Sequence, residues 1–270
     1  MRQGAVSRVL AQLLCVALVA VGQAGCRTTP HSEVAPGPDA SELSARVAAY
    51  QSAHQERELR LVSARATART EVEGAAGAAF SRQLLLLERP ASLRIEVLGL
   101  MGQRALVLAT DGARYDVFRA GEPQIERGDV HPGVLWETAG IPLTPEAAVA
   151  VLLAIPEMPV AGDANPEVSW DGASGEAVLG FTEATFRFDG AGLLRGYRWH
   201  PDGHDWVVAR YDDWRGDERF PYRINLVFPS SGGRVAVSLE SVELNPELSR
   251  DLFRLSPRKA LSSNAEGETQ

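Results

Sequence analysis

The sequence predicts an α+β domain built on one large antiparallel sheet, with about ten strands and two sizeable helices. Two observations favour this class. Stretches in which apolar and polar residues alternate recur through most of the chain, and glycine-rich turns separate many of them. Apolar residues at helical spacing are confined to two stretches, and no repeat of fixed period is present.

Residues 1–25 have the features of a secretory signal and are left out of the fold. The apolar run Val9–Val21 is shorter than the roughly 20 residues of a membrane span. It is followed by Ala24-Gly25-Cys26, which resembles the lipobox of bacterial lipoproteins, whose cysteine thiol is diacylated. The resemblance implies that Cys26 is a lipid anchor. An ordinary secretory signal that leaves Cys26 as a free thiol is the alternative.

The net charge limits the classes of partner. The composition predicts where the tether, the folded domain and the tail begin and end. The formal net charge of −8 argues against nucleic acid and against broad electrostatic binding to anionic lipid. Residues 26–40 are predicted to be a flexible tether, residues 41–258 the folded domain and residues 259–270 a disordered tail. Cys15 lies within the signal, so an exported domain would have no disulfide and its core would depend on burial alone.

A helix and two strands are predicted to open the domain. Ser41 would cap a helix that ends at about Arg60. Leu61–Glu73 then alternates with a period of two, and Ala78–Arg89 follows as a second strand. The inward face of the first strand is apolar but small, which would leave room inside the domain. That face carries Val62, Ala64, Ala66, Ala68 and Val72.

The run Leu84–Leu87 is apolar on both faces, which indicates cover on both sides. A central strand packed under helices and a lipid-facing role explain it equally well. The hairpin Leu93–Thr110 carries Leu100 and Met101 at its tip, where a turn normally has polar residues. The tip either folds back under a neighbouring loop or is an apolar probe for a bilayer or an acyl chain.

The second half begins with a fifth strand, Arg114–Arg119, and a helix that starts at Thr144-Pro145-Glu146 and ends near Ile155. Glu157–Ala184 is predicted to be loops, with at most one short hairpin near Trp170. The stretch after residue 244 ends in an apolar latch formed by Leu252 and Phe253. The other predicted strands are Thr185–Asp189, Leu193–His200, Asp205–Asp212, Tyr222–Phe228 and Arg234–Leu244.

No pattern of an active site is present. The sequence lacks the nucleophile elbow, the phosphate-binding loop and the zinc-protease motif. His200, His204 and Asp205 are possible metal ligands, but Pro-Asp-Gly between the histidines is typical of a turn, which is the favoured interpretation. We therefore expect no enzyme activity, no catalytic residue, no metal and no cofactor.

Three stretches together resemble the LolB family of outer-membrane lipoproteins, within the LolA/LolB lipoprotein-localisation superfamily. Gly99-Leu100-Met101-Gly102 stands where the family has N-P-L-G between two strands, and Met101 aligns with the family's leucine. Ala139–Pro156 is similar to the entry and exit of the family's helix, and Gly196–Tyr211 is similar to its tryptophan-containing hairpin. The end of the chain, Val242–Phe253, is more similar to the related carrier LolA, so the superfamily is favoured over LolB alone.

The resemblance implies an unclosed antiparallel barrel covered by helices, with an apolar cavity for acyl chains and a membrane-contacting tip formed by Leu100 and Met101. It implies a monomeric outer-membrane lipoprotein that faces the periplasm, accepts acylated lipoproteins from a periplasmic carrier and inserts them into outer-membrane lipid. A sensor or scaffold that binds a ligand without transfer is the alternative, and an envelope hydrolase is a distant third. The residues expected to line the cavity are Val62, Ala64, Ala66, Ala68, Leu152 and Leu153.

Overall fold

A computed structural model describes residues 37–74, 77–159 and 166–256. These residues form one sheet of 13 strands with three α-helices and a short 3-10 helix, Arg250–Phe253. The helices are α1 (Ala40–Arg60), α2 (Val134–Ala139) and α3 (Pro145–Leu152). The strands are β1 (Ser63–Gly74), β2 (Gly77–Glu88), β3 (Ser92–Leu98), β4 (Arg104–Asp111), β5 (Arg114–Arg119), β6 (Glu126–Asp129), β7 (Glu167–Asp171), β8 (Glu176–Gly180), β9 (Ala184–Phe188), β10 (Leu194–Trp199), β11 (Val207–Arg215), β12 (Phe220–Phe228) and β13 (Gly233–Leu244).

The sheet is open, because its strand order runs from β6 through β1 to β13 and then down to β7. All neighbouring strands are antiparallel. Every pairing joins strands that follow one another along the chain, except that of β1 with β13. The described sheet is therefore two meanders, β1–β6 and β7–β13, which meet at one seam. This agrees with the predicted large antiparallel sheet.

The predicted number of strands is too low. Each of the ten predicted strands corresponds to an observed one, but β6, β7 and β8 add three. Strand β6 has four residues, ERGD, without an apolar alternation that could reveal it. Strands β7 and β8 form the short hairpin at Trp170, within the stretch otherwise predicted to be loops.

The two long helices begin close to their predicted positions. The side chain of Asp39, rather than Ser41, caps α1 by accepting a hydrogen bond of 2.8 Å from the Glu42 N–H. The Thr144 hydroxyl caps α3 as predicted, accepting from the Ala147 N–H at 3.2 Å. Helix α2 was not predicted. It has six residues, and Gly140, the residue after it, has a left-handed φ of 68°.

The outer face of β3 and β4 is covered by the C-terminal segment, and Leu86 of the leucine run in β2 lies opposite Arg94, which bonds that segment. Leu86, Val107 and Phe253 are buried but lie outside the main core cluster. The 3-10 helix contacts β3 and β4, and Arg94 donates to the Leu252 carbonyl at 2.7 Å. The cover on this side is thus a short 3-10 helix rather than the long helices expected over a central strand. Within the described residues, the helices are too short or too polar to cross a membrane.

Candidate functional site

The inner face of the sheet encloses a cavity of about 250 Å³ beneath α2 and α3. This volume is just below the range of small-molecule pockets, which span about 300–1,000 Å³. Strands from both meanders contribute, and the described lining is mostly aliphatic. The lining residues are Thr70, Val72, Ser81, Gln83, Leu85, Leu93, Ile95, Val97, Leu106, Leu108, Ala139, Gly140, Ile141, Leu143, Ala148, Leu152, Leu226, Phe228, Val235 and Val237.

The period of two in the strands produces this wall. In β3, Leu93, Ile95 and Val97 face the cavity, while Arg94 and Glu96 face outward. The helical side of the cavity is formed in a different way. Helix α3 ends at Leu152, and its apolar residues together with the link between α2 and α3 close the cavity. The described part of the site can therefore take an apolar chain out of water.

One corner of the cavity is polar. Thr70 and Ser81 lie directly opposite each other on β1 and β2, and Gln83 follows on the same face of β2. The Gln83 side-chain amide donates to the Ser81 hydroxyl at 3.2 Å. The Thr70 hydroxyl is buried and has no hydrogen-bond partner among the described residues. We call these three residues the polar corner.

Of the six residues predicted to line the cavity, the structure places one there. Leu152 lines the cavity, but Leu153 is fully buried in the core next to it. Val62 precedes β1 and is 48% exposed. The predicted inward orientation of the β1 alanines is observed, because the three are buried in the main core cluster, but they do not line the cavity. These are Ala64, Ala66 and Ala68.

The space that these small side chains leave is therefore taken up by other core residues. The cavity lies further along β1, where Thr70 and Val72 continue the same inward face. Alternation identifies this face correctly, but it does not show which part of the strand has open space above it.

The tip between β3 and β4 projects from the cavity wall into solvent. Val97 and Leu106, which line the cavity, flank a turn in which Met101 is 90% exposed and Leu100 is fully exposed. Its backbone is held by a bond of 2.8 Å from the Gly99 N–H to the Gln103 carbonyl. The Met101 N–H donates to the Gln103 side chain at 3.1 Å. The tip does not fold under any described loop, which excludes that alternative within the described residues.

Phe80 is an exposed apolar residue that sequence reasoning missed. It is 75% exposed on the outer face of β2, near the end where Arg82 pairs with Leu98 at the start of the tip. Its signal is an aromatic side chain at an outward position between Ala79 and Ser81. Together with Leu100 and Met101 of the tip, it is one of three exposed large apolar residues near this end of the described sheet.

The base of the tip is fixed by a buried carboxylate. Glu96 accepts from Arg104 at 2.6 Å and from Arg94 at 2.7 Å, and Arg94 also bonds the C-terminal segment. Burial would raise the pKa of Glu96, but the hydrogen bonds from Arg104 and Arg94 outweigh it and hold the pKa below its usual value. The charged Glu96 therefore connects the base of the tip, through Arg94, to the C-terminal segment.

The remaining predicted positions divide into two groups. His200–Asp205 forms a turn, in which Asp202 accepts from the His204 N–H and from the Trp206 indole N–H, each at 3.1 Å. No cluster of three or more potential metal ligands occurs among the residues that the structure describes. Cys26, the signal and the predicted tail lie outside the described residues.

No protein-family model and no curated protein matches the chain. Among solved structures, a LolA superfamily protein from Nitrosomonas europaea is 13% identical, covers 76% of this chain and 97% of its own, and has a TM-score of 0.49. A DUF1329 family protein from Desulfovibrio piger is 7% identical, with 77% and 97% covered and a TM-score of 0.51. The lipoprotein LppX from Mycobacterium tuberculosis is 10% identical, with 77% and 99% covered and a TM-score of 0.35.

At these identities the likeness concerns the fold alone. The Desulfovibrio piger protein, whose TM-score exceeds 0.5, shows that the open antiparallel sheet of this chain is an architecture that another protein shares.

Proposed function

We propose that this chain binds the acyl chains of lipoproteins in its cavity and passes them to a membrane at the tip, as an acceptor and inserter of the outer membrane. One observation carries the proposal. Two of the strands that wall the apolar cavity, β3 and β4, continue directly into an exposed tip that carries Leu100 and Met101. The apolar cavity and the exposed apolar tip therefore lie next to each other.

Transfer of this kind needs no catalytic group. Each buried methylene is worth roughly 0.8 kcal/mol, so an acyl chain does not cross water unaided. A cavity that keeps the chain out of water removes most of this cost. Hand-off from a periplasmic carrier then requires only that this cavity bind the chain slightly more tightly than the carrier does.

The proposed anchor and the charge of the chain fit the same role. An acylated Cys26 would hold the domain at the outer membrane, facing the periplasm. The net charge of −8 disfavours electrostatic attachment to anionic lipid, which leaves apolar contact through the anchor and the tip. Outer-membrane lipid, acylated cargo and a periplasmic carrier are the proposed partners.

The test separates binding from delivery. The chain from residue 26, with Cys26→Ser, is mixed with a triacylated lipoprotein loaded on a periplasmic carrier, and liposomes are then added. We expect cargo to move to the domain and then to float with the liposomes. Cargo that binds and stays would favour the sensor or scaffold role, and cargo that never leaves the carrier would contradict both.

Met101→Glu isolates the tip. We expect this variant to fold and to accept cargo, because Met101 is exposed and does not line the cavity, but to lose delivery to liposomes, because a carboxylate resists entry into an apolar phase. Leu59→Glu, at an exposed position of α1, is the matched control and should deliver normally. Delivery by Met101→Glu at the normal rate would contradict a membrane role for the tip.

A further inference from the structure

We propose that the polar corner of the cavity binds a neutral ester carbonyl of the acyl ligand, so that the site selects acyl esters over plain hydrocarbon and over free fatty acids. This inference rests on the proposed function, since it specifies the ligand of the same cavity. It is carried by the unpartnered Thr70 hydroxyl and by the absence of charge in the described lining.

Thr70 is the central observation. Its side chain lines the cavity, the residue is only 4% exposed, and its Oγ1 has no hydrogen-bond partner among the described residues. Buried polar groups in folded proteins are nearly always paired, so an unpaired hydroxyl at a cavity wall needs a reason. A ligand group that accepts a hydrogen bond from this hydroxyl would provide the missing partner.

The two neighbours add hydrogen-bond donors of the same kind. The Ser81 hydroxyl accepts from the Gln83 amide, which leaves its own O–H free to donate. One N–H of the Gln83 amide remains after this bond. The polar corner therefore offers up to three donors on one face of two paired strands, and a carbonyl oxygen, with two lone pairs and no proton, is the matching group.

The charge of the site decides between an ester and a carboxylate. None of the described residues that line the cavity is charged. A buried carboxylate would lack a cation there and would be unfavourable, whereas an ester carbonyl carries no net charge. Diacylglyceryl groups of lipoproteins and ordinary glycerolipids both provide such esters.

The test compares three probes of equal chain length on the full chain. Dodecane, methyl laurate and laurate each compete with a fluorescent acyl probe for the cavity. We expect methyl laurate to bind more tightly than the other two. An equal or higher affinity for laurate, or for dodecane, would overturn this inference while leaving the apolar cavity of the proposed function intact. Failure of all three to bind would overturn the proposed function as well.

Thr70→Val removes the hydroxyl while keeping the shape of a β-branched side chain. We expect the affinity for methyl laurate to fall about tenfold and that for dodecane to stay equal or rise, because a bond to the ligand is lost and apolar surface is gained. Thr67→Val, on the outer face of the same strand, is the matched control and should change neither affinity. Gln83→Leu is a second variant with the same expected direction. Equal changes for both probes in Thr70→Val would contradict the role of the hydroxyl.

Discussion

At the scale of single residues, His54 joins α1 to the segment that follows α3. Its Nε2 lies 2.9 Å from the Pro156 carbonyl oxygen, and its ring packs edge-on against Phe186 and Phe188. Burial is the main cause that lowers the pKa of His54 below its usual value, despite the bond to Pro156. The neutral ring is thus the form that the folded chain prefers.

This preference makes stability depend on pH. The unfolded chain takes up a proton at His54 near pH 6.5, whereas the folded chain takes it up only at lower pH, so acidification favours unfolding. We expect the free energy of unfolding, from urea titrations, to fall between pH 7.5 and pH 5.5. His54→Phe should lose about 1 kcal/mol at pH 7.5, where the hydrogen bond is intact.

At pH 5.5 the deficit of His54→Phe should shrink, because phenylalanine has no proton to take up. His204→Phe, in an exposed turn, is the control and should change the free energy of unfolding by less than about 0.5 kcal/mol. A deficit of equal size at both pH values would contradict titration of His54 as the cause.

The position of the polar corner follows only in part from the sequence. Thr70 has the same alternation as Ala64, Ala66 and Ala68, so its inward direction follows from the sequence. Its position beside open space does not, because that depends on which side chains of distant elements fill the volume above each position.

At the scale of elements, the C-terminal segment acts as the latch that Leu252 and Phe253 predict. Phe253 is fully buried, and the buried Asp116 accepts from Arg254 at 3.1 Å and from the Leu255 N–H at 2.7 Å. Arg127 donates in turn to the Leu255 carbonyl at 2.8 Å. The segment thereby covers the outer face of the strands that support the tip.

Removing the apolar part of this latch should be costly. We expect Phe253→Ala to lower the free energy of unfolding by about 3–5 kcal/mol, as for other buried phenylalanines, because it leaves a cavity on the outer face. Phe80→Ala, at an exposed position, should change it by less than about 0.5 kcal/mol. Urea unfolding of both variants checks this, and equal effects would contradict a structural role for the latch.

Elements with strong local signals could be predicted, and those without them could not. The cap at Thr144 and the alternation in β3 locate α3 and the tip to within a few residues. Strand β6 pairs along β5, where Arg127 lies opposite Asp116, and α2 lies in the connection between the two meanders. Such features depend on tertiary structure rather than on the local pattern.

At the scale of the whole molecule, the cavity links parts of the chain that are far apart in sequence. Its walls come from β1–β4, from β12 and β13, and from the helical link between the meanders. The sequence could not predict this arrangement, since alternation does not specify which strands pair across long distances. A ligand in the cavity therefore contacts both meanders at once.

Binding should accordingly stabilise the domain as one unit. Methyl laurate at about 100 times its Kd should add about 2.7 kcal/mol by mass action, which corresponds to a rise in Tm of about 5–10 °C for a domain of this size. Ala148→Phe, which would occupy part of the cavity from α3, should reduce the rise. Calorimetry checks the shift, and a rise of unchanged size in Ala148→Phe would place the ligand elsewhere.

The seam between β1 and β13 has a consequence for the order in which the molecule forms. It pairs Ala64 with Leu244, whereas every other pairing in the described sheet joins neighbours along the chain. Short loops close at lower entropic cost than long ones, so we expect each meander to form before the seam closes. The cavity has walls on both sides of that seam and exists only after this last step. We therefore expect a chain whose seam is still open to lack a complete cavity.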